Sequence, residues 1–386
     1  MLMPFTILLG LAGFASAFTL RAIEPTLALI AAEFHVSFEQ AAMLSSGFAL
    51  PYALMQIVFG PIGDAVGKVR VMRVNLAMLT LCLVACALAP SHDWLMAARI
   101  VAGAWAGGII PVSFALVGDR VAFADRPAAL GKILTLIVLG QLCGSVVSGL
   151  IATQFGWRAV LWLAVGLSAL AGLGVMAFIT EEAPRGKLSF RQSLMSYRVV
   201  CQNPISIRLF IIVAIEGALV FGCFPIVAAH MLQQGFGGPV EAGLSLGAFG
   251  IGGLLYTLCV TPLVRAFGLP AMSGAGAALA AVAYILIGEV PHLGVVIGLF
   301  ALAGFGFQML HNMIQILATE LVPAARGASV ALYATSFWLG QAIGAAAASQ
   351  ALPLAGSSGL FLAAGIGLLG LIWPAIQLAR SGAVAR

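Results

Sequence analysis

The chain contains a succession of long apolar runs that leave little polar surface for contact with water. Of its 386 residues, 62% are hydrophobic and only 8% are charged, whereas about 25% of the residues in a soluble domain are charged. A helix needs about 20 apolar residues to cross the hydrocarbon core of a bilayer. We therefore predict an integral membrane protein, and we exclude a water-soluble enzyme and a nucleic-acid-binding protein.

Twelve of these runs are long enough to cross a bilayer as helices. Membrane strands are excluded because they alternate apolar and polar residues, whereas these runs are apolar on all sides. The first run resembles a signal peptide at Ala15-Ser16-Ala17, but no Lys or Arg precedes it, so we expect a retained helix. The predicted spans cover residues 4–32, 41–62, 72–90, 94–118, 132–153, 159–179, 207–230, 242–263, 270–288, 293–318, 328–350 and 357–378.

The basic residues fall almost entirely on one side of this predicted bundle. With a cytoplasmic amino terminus, fifteen of the eighteen Lys and Arg residues are cytoplasmic, only Arg158 lies outside, and Arg21 and Arg99 lie within spans. This distribution follows the positive-inside rule, and one helix more or fewer early in the chain would reverse it. We expect a multi-pass protein of a bacterial inner membrane, a monomer with both termini in the cytoplasm.

The two halves of the chain repeat each other. A shift of about 200 residues places Leu139-Gly140-Gln141 on Leu339-Gly340-Gln341 and Pro25 on Pro225. A common offset running through several helices indicates duplication. We therefore predict an all-α fold of two pseudo-symmetric six-helix bundles, 1–179 and 207–386, joined by a cytoplasmic linker, 180–206. Two parallel repeats of this kind are typical of transporters with a substrate site between them.

The loop after the second helix reads Gly60-Pro-Ile-Gly-Asp64-Ala-Val-Gly67-Lys68-Val-Arg70. It resembles the signature G-x-x-x-D-x-x-G-[RK]-x-[RK] of the major facilitator superfamily. Helix 4 begins Leu95-Met-Ala-Ala-Arg99-Ile-Val-Ala-Gly103, similar to the second motif of that family, with Ala102 where Gln is usual. The glycines of helix 5 resemble the antiporter motif of the family, although Ser145 and Ser148 depart from it. The resemblance covers the whole chain and is nearest to the twelve-helix drug–proton antiporter branch.

That resemblance implies a latch on the cytoplasmic side. The carboxylate of Asp64 would oppose the positive end of helix 11, which begins near Gly327, and Arg70 would pair with Asp119. The latch would join the two halves when the cavity faces outward. The alternative is a simple helix cap with basic residues that set the topology. The predicted latch residues are Gly60, Asp64, Gly67, Lys68, Arg70, Asp119 and Gly327.

Four charged residues within the spans are candidates for coupling transport to a gradient: Arg21, Glu24, Arg99 and Glu216. Burial disfavours the charged form of a carboxyl group, whereas a neighbouring Arg favours it. Glu24 lies three residues from Arg21 on one helix face, so this pair is expected to stay ionised and to act as a gate, a substrate contact or a structural bridge. Glu216 has no basic neighbour at helical spacing, so we expect it to carry the proton.

Helix 10 carries a polar stripe formed by Gln308, His311 and Gln315, with Asn312 beside it. We expect this stripe to line the substrate cavity, where the imidazole of His311 could bind substrate or share the proton. The alternative is a polar seam that bonds neighbouring helices.

Two further groups of side chains have less specific interpretations. Gln141 and Gln341 occupy equivalent places in helices 5 and 11 and are expected to be interhelix contacts or ligands. Trp105 and Phe221 are expected to line an apolar pocket, although aromatic residues in a helical bundle are more often packing. Others that could line it are Phe224, Phe305, Phe307, Phe337 and Trp338.

The sequence contains no phosphate-binding loop, so ATP is not the direct driver of transport. Six scattered cysteines without a CxxC pair indicate neither a metal site nor a cofactor. We predict a secondary transporter that exports a small, largely apolar organic compound in exchange for protons. The alternatives are an importer of a nutrient, such as a vitamin, nucleoside or organic acid, and a membrane-embedded enzyme. The enzyme would need a nucleophile or metal cluster, which the sequence does not contain.

Overall fold

The computed structural model describes residues 2–180, 190–322 and 325–384, and over these ranges the chain is helical, without strands. Ten helical segments are long and apolar enough to cross a membrane. Two of them are too long for a single crossing, because the 49 residues of Pro239–Ile287 and the 56 of Arg326–Ser381 would extend roughly 70 and 80 Å at 1.5 Å per residue. Each contains one glycine with a left-handed φ, 72° at Gly268 and 66° at Gly356, where the helix is interrupted. Over the described residues, the chain therefore has twelve spans, as predicted.

We number these spans 1 to 12 in chain order. Span 1 is divided by a 3-10 turn at Glu24–Thr26, and span 7 by a 3-10 turn at Phe224–Ile226. A separate helix, Phe190–Gln202, precedes span 7 and is called the linker helix; residues 181–189 of the predicted linker lie outside the described residues. The spans are Phe5–Phe34, Phe38–Val66, Lys68–Ala87, His92–Arg120, Ala128–Phe155, Trp157–Phe178, Pro204–Gln233, 239–267, 269–287, Leu293–Glu320, 326–355 and 357–381.

The backbone breaks repeat with the same offset as the sequence. The two 3-10 turns begin at residues 24 and 224, which are 200 residues apart. The glycines that separate spans 5 and 6 and spans 11 and 12 are Gly156 and Gly356, again 200 apart, while Gly67 and Gly268 are 201 apart. All four glycines have left-handed φ values, which cost Gly little and other residues much more.

Glycines also set the closest helix contacts, at equivalent positions in the two halves. A Cβ atom at Gly140 would overlap the backbone of Phe14, and one at Gly340 would overlap the backbone of Ala214. These contacts join span 5 to span 1 and span 11 to span 7. In a bilayer, where apolar surfaces gain little from association, close backbone approach of this kind is a main source of helix packing energy.

The two six-helix halves meet mainly at one side of the bundle. We call the side of the Gly67 and Gly268 turns the basic side, and the side of the Gly156 and Gly356 turns the opposite side. Toward the opposite side, Gly149 of span 5 lies against Pro239 of span 8, and span 2 packs on span 11.

The basic ends of several of these spans are open. A side chain placed at Gly60, Gly131 or Gly327, on spans 2, 5 and 11, would have nothing within 4 Å. Between spans 5 and 8, the close contacts run from Leu142 and Gly250 to Gly149 and Pro239, away from the basic ends, which indicates a central cleft closed on the opposite side and open on the basic side.

We predict that Gly340→Ala lowers the free energy of unfolding by about 1–3 kcal/mol, because the added methyl group collides with the Ala214 backbone. Gly370→Ala is the matched control, since nothing lies within 4 Å of its added carbon. The measurement is the denaturant concentration at which the purified protein unfolds in detergent. Equal effects of the two substitutions would contradict the packing role of Gly340.

Candidate functional site

Arg21 is almost fully buried at the centre of the bundle, with 1% of its surface exposed. Its Nη1 atom lies 3.2 Å from Oε1 of Glu24, which is also 1% exposed. Its Nη2 atom donates a hydrogen bond of 3.3 Å to Oε1 of Gln341 on span 11. Arg21 therefore joins the two halves of the molecule, and Gln341 is an interhelix contact in this conformation.

Aromatic rings of the second half cover the same guanidinium group. Its Cζ atom lies 4.4 Å from the ring centroid of Phe221 and 4.8 Å from that of Phe224. Trp338 is at 6.0 Å, within reach of a cation–π attraction, and its ring also contacts Tyr52 of span 2. Phe221, predicted to line a pocket, thus packs on Arg21.

Arg99 on span 4 is fully buried and contacts span 1. Its Nη1 atom donates a hydrogen bond of 3.2 Å to the carbonyl of Thr19, and its guanidinium lies 4.2 Å above the ring of Phe48. The last carbonyls of a helix lack an intrahelical partner, and the first helix of span 1 ends at Arg21. Arg99 therefore satisfies a backbone group that the break in span 1 leaves free.

A second polar cluster lies wholly within the second half. Nδ1 of His311 on span 10 is 3.0 Å from Oε2 of Glu216 on span 7, which is fully buried. The hydroxyl of Tyr333 on span 11 lies 2.7 Å from Nε2 of the same His311 ring and 3.4 Å from its backbone carbonyl. The expectation that Glu216 lacks a basic neighbour holds along its own helix, but span 10 supplies one from across the bundle.

This cluster extends from the open side toward the centre of the protein. Tyr333 is seven residues from the start of its helix at Arg326, His311 nine from the end of its helix at Glu320, and Glu216 twelve from Pro204. At 1.5 Å per residue, these groups lie roughly 10, 14 and 18 Å from the basic side. His311 keeps 15% of its side chain exposed. His311 is thus the partly exposed neighbour of a carboxylate that is fully buried.

Phe337 separates the two clusters. Its ring centroid lies 4.7 Å from that of His311 and 5.5 Å from that of Phe221, which covers Arg21. Because Tyr333, Phe337 and Gln341 follow each other at four-residue intervals, they share one face of span 11. Tyr333 was absent from the sequence prediction, although this spacing could have indicated it.

The remaining predicted cavity residues are less constrained. Gln308 and Asn312 are half-buried and Gln315 is exposed. They share span 10 with His311, and their place in a substrate cavity stays a prediction. Trp105 packs on Phe59, with ring centroids 6.0 Å apart, within the first half.

The loop after span 2 has a different pairing from the one that the family resemblance implies. Lys68, rather than Arg70, binds Asp119, with Nζ and Oδ2 2.6 Å apart. The same Nζ lies 3.0 Å from Asp64, whose side chain is 66% exposed. Lys68 follows Asp64 across the Gly67 turn and faces both carboxylates, whereas Arg70 is exposed. Asp64 therefore pairs with Lys68 of its own loop, and a Cβ atom at Gly327, near the start of span 11, would have nothing within 4 Å.

We predict that Glu24→Gln lowers the free energy of unfolding by about 3 kcal/mol, because it leaves a buried guanidinium without its counter-ion. The matched control is Glu320→Gln, whose partner Arg326 is exposed, so that a loss of about 0–1 kcal/mol is expected. Unfolding midpoints in detergent measure both. A loss at Glu24 no larger than that at Glu320 would show that the buried pair is not required for stability.

The chain is similar in sequence to a known family of membrane transporters. A family model described as Major Facilitator Superfamily matches residues 9–345. An uncharacterised MFS-type transporter of Bacillus subtilis is 22% identical over 322 residues, covering 83% of this chain and 82% of the relative. A probable efflux pump of Aspergillus flavus is 26% identical over 162 residues. That match covers 42% of this chain, and the chain spans only 38% of the length of the pump.

A solved structure has the same fold. The crystal structure of a mutant form of the nucleoside transporter NupG superimposes with a TM-score of 0.76 and 12% sequence identity. The match covers 98% of this chain and 99% of that one.

Proposed function

The chain belongs to the Major Facilitator Superfamily, and on that premise we propose that it is a proton-coupled secondary transporter working by alternating access. Its proposed substrate is a small, largely apolar organic compound, which it exports in exchange for protons. The name of the partly matched efflux pump supports export. The observation that carries proton coupling is the buried contact between Glu216 and His311.

The proposed orientation places the basic side in the cytoplasm, because Lys and Arg concentrate in cytoplasmic loops. Lys68 and Arg70 follow the Gly67 turn, and Arg265 lies next to the Gly268 turn, whereas Arg158 follows Gly156 on the opposite side. In this orientation the structure represents the form whose central cleft opens to the cytoplasm. Substrate would enter from there, and His311 would exchange its proton with the same compartment.

Coupling follows from the charge of the Glu216–His311–Tyr333 cluster. With Glu216 ionised and His311 neutral, the cluster carries one negative charge, and uptake of one proton removes it. Because a net charge within the membrane is costly, protonation alters the relative stability of the two access states. A pH difference of one unit supplies about 1.4 kcal/mol to this exchange, and a potential of 100 mV supplies about 2.3 kcal/mol per charge.

Tyr333 would keep His311 in the geometry that this exchange needs. When Nε2 of the ring is unprotonated, the Tyr333 hydroxyl can donate to it, leaving the proton on Nδ1 to face Glu216. When both nitrogens carry protons, the same hydroxyl can accept from Nε2 and donate to the His311 carbonyl. Both protonation states are therefore satisfied without movement of a helix.

Glu216→Gln tests proton coupling, because it removes the titrating carboxylate but keeps the shape of the side chain. We expect substrate-dependent proton movement to fall at least tenfold in proteoliposomes that contain a pH-sensitive dye. The assay uses a panel of labelled apolar and amphipathic organic compounds, tested with and without a pH gradient. The same substitution at the exposed Glu320 is the control and should leave proton movement unchanged. Unchanged proton-driven transport in Glu216→Gln would refute the role of Glu216 as proton carrier. Uptake of the compounds instead of export would favour a nutrient importer.

Asp64→Asn tests the cytoplasmic latch. We propose that this latch forms when the cleft closes on the basic side. Asp64 would then leave Lys68 and approach the start of span 11 near Gly327. Asp64→Asn should lower turnover about tenfold while leaving substrate affinity within about twofold, because only the closed state loses an interaction. Loss of binding by a correctly folded variant would contradict the latch.

A further inference from the structure

The linker helix reaches across the open cleft and bonds to the other half of the molecule. The hydroxyl of Tyr197 donates a hydrogen bond of 3.2 Å to the backbone carbonyl of Ile57 on span 2. The linker helix otherwise packs against span 7 and the Arg326–Val384 helical segment, both in the second half. The Tyr197 side chain thus ties this helix to the first half on the side where the spans stand apart.

Pro61 explains why the Ile57 carbonyl is available. In a helix, this carbonyl would accept a hydrogen bond from the amide of residue 61, but Pro has no amide hydrogen. Pro61 lies inside span 2, so the Ile57 carbonyl has no intrahelical partner. The Tyr197 hydroxyl donates the hydrogen bond that the Ile57 carbonyl lacks because residue 61 is proline. An unpaired backbone carbonyl within a membrane protein is costly.

The linker helix is held against the second half by hydrogen bonds and by packing. Asn203 directly follows this helix, and its Nδ2 donates to the carbonyl of Leu321, the residue after span 10, at 3.3 Å. Its Oδ1 accepts from the amide of Ile205 at the start of span 7, at 3.0 Å. Val200 of the linker helix is fully buried. The linker helix therefore moves with the second half, and its bond to Ile57 spans the two halves.

The contact also lies beside the latch residue. Burial raises the pKa of the Tyr197 hydroxyl, and the nearby carboxylate of Asp64 raises it further, which keeps the hydroxyl protonated and able to donate. When the cleft closes on the basic side, span 11 has to approach Asp64. The linker helix, packed on the segment that begins with span 11, then has to change its position relative to span 2.

We propose that the linker helix is a conformational stop that docks through Tyr197 on the carbonyl freed by Pro61 and stabilises the form that is open on the basic side. Its release precedes latch formation at Asp64. This role rests on the rocking of the two halves that the proposed function assumes, and it is independent of the substrate and of protons. Tyr197 acts as a positioning residue, since its hydroxyl bonds a backbone carbonyl of span 2.

The test measures the distance between the basic ends of spans 5 and 8 in the full-length protein in lipid nanodiscs. Spin labels are attached to Ala128→Cys and Ala266→Cys, at exposed positions, in a background in which the cysteines that are not buried are replaced by Ala. A long distance reports the open form and a short distance the closed form. The replaced cysteines are Cys143, Cys201 and Cys259.

Tyr197→Phe should raise the ratio of short to long distances about fivefold, the factor that corresponds to one hydrogen bond of about 1 kcal/mol. Pro61→Ala should have a similar effect, because the new amide satisfies Ile57 from within the helix. The two substitutions combined should shift the ratio no further than either alone, since they remove the same bond.

Two controls separate this effect from general loss of stability. Pro51→Ala makes the same chemical change in span 2 but away from Tyr197, and Tyr284→Phe removes a hydroxyl that bonds Val220 within one half at 2.7 Å. Neither should change the distance ratio. An additive effect of Tyr197→Phe and Pro61→Ala would overturn the proposal, as would equal shifts in these controls.

Gln341→Ala distinguishes failure of this proposal from failure of the proposed function. It removes the bond to Arg21 that joins the two halves at the centre of the bundle, so it should favour the short distance if the halves rock. A shift with Gln341→Ala but none with Tyr197→Phe would overturn the role of the linker helix alone. No shift in any variant would overturn the rocking motion and, with it, the linker proposal.

Discussion

Hydrocarbon offers no hydrogen bond and no counter-ion, so each polar group inside the spans has to find its partner within the protein. This constraint explains the positions of the buried charges. Arg21 bonds Glu24 on its own span and Gln341 on span 11, and Glu216 bonds His311 on span 10. The partner from another span matters most, because it makes the charge part of the contact between helices. A motion that separates such helices therefore has to supply a new partner or water.

The two halves share a backbone but differ in chemistry. The 3-10 turns and the helix-ending glycines recur at offsets of 200 or 201 residues. At the turn itself, Arg21 and Glu24 of the first half correspond to Phe221 and Phe224 of the second, and the four side chains meet at the centre. The first half thus carries the buried arginines Arg21 and Arg99, whereas the second half carries the Glu216–His311 pair. The two halves share a frame that duplication explains, but they have diverged in the polar side chains that they bury.

Helix number and the repeat could be predicted from the sequence because both depend on local patterns. Run length indicates a span, and the 200-residue offset correctly pairs Pro25 with Pro225 at equivalent backbone breaks. Contacts between distant side chains could not be predicted in the same way. His311 reaches Glu216 across 95 residues of chain. The choice of Lys68 over Arg70 as partner of Asp119 depends on which side chain faces span 4, and that is a matter of helix rotation rather than residue type.

The seam between spans 5 and 8 combines backbone contact with small residues. Gly243 lies against Ser145, and Gly247 and Gly250 face Val146 and Leu142. Because span 8 presents glycines at these contacts, the two helices would slide past one another with few rotamer changes if the halves rock as proposed. The activation enthalpy of that motion would then depend mainly on the polar bonds that break, such as Arg21–Gln341. Turnover limited by this step should therefore vary only weakly with temperature, unlike the unfolding of a packed core.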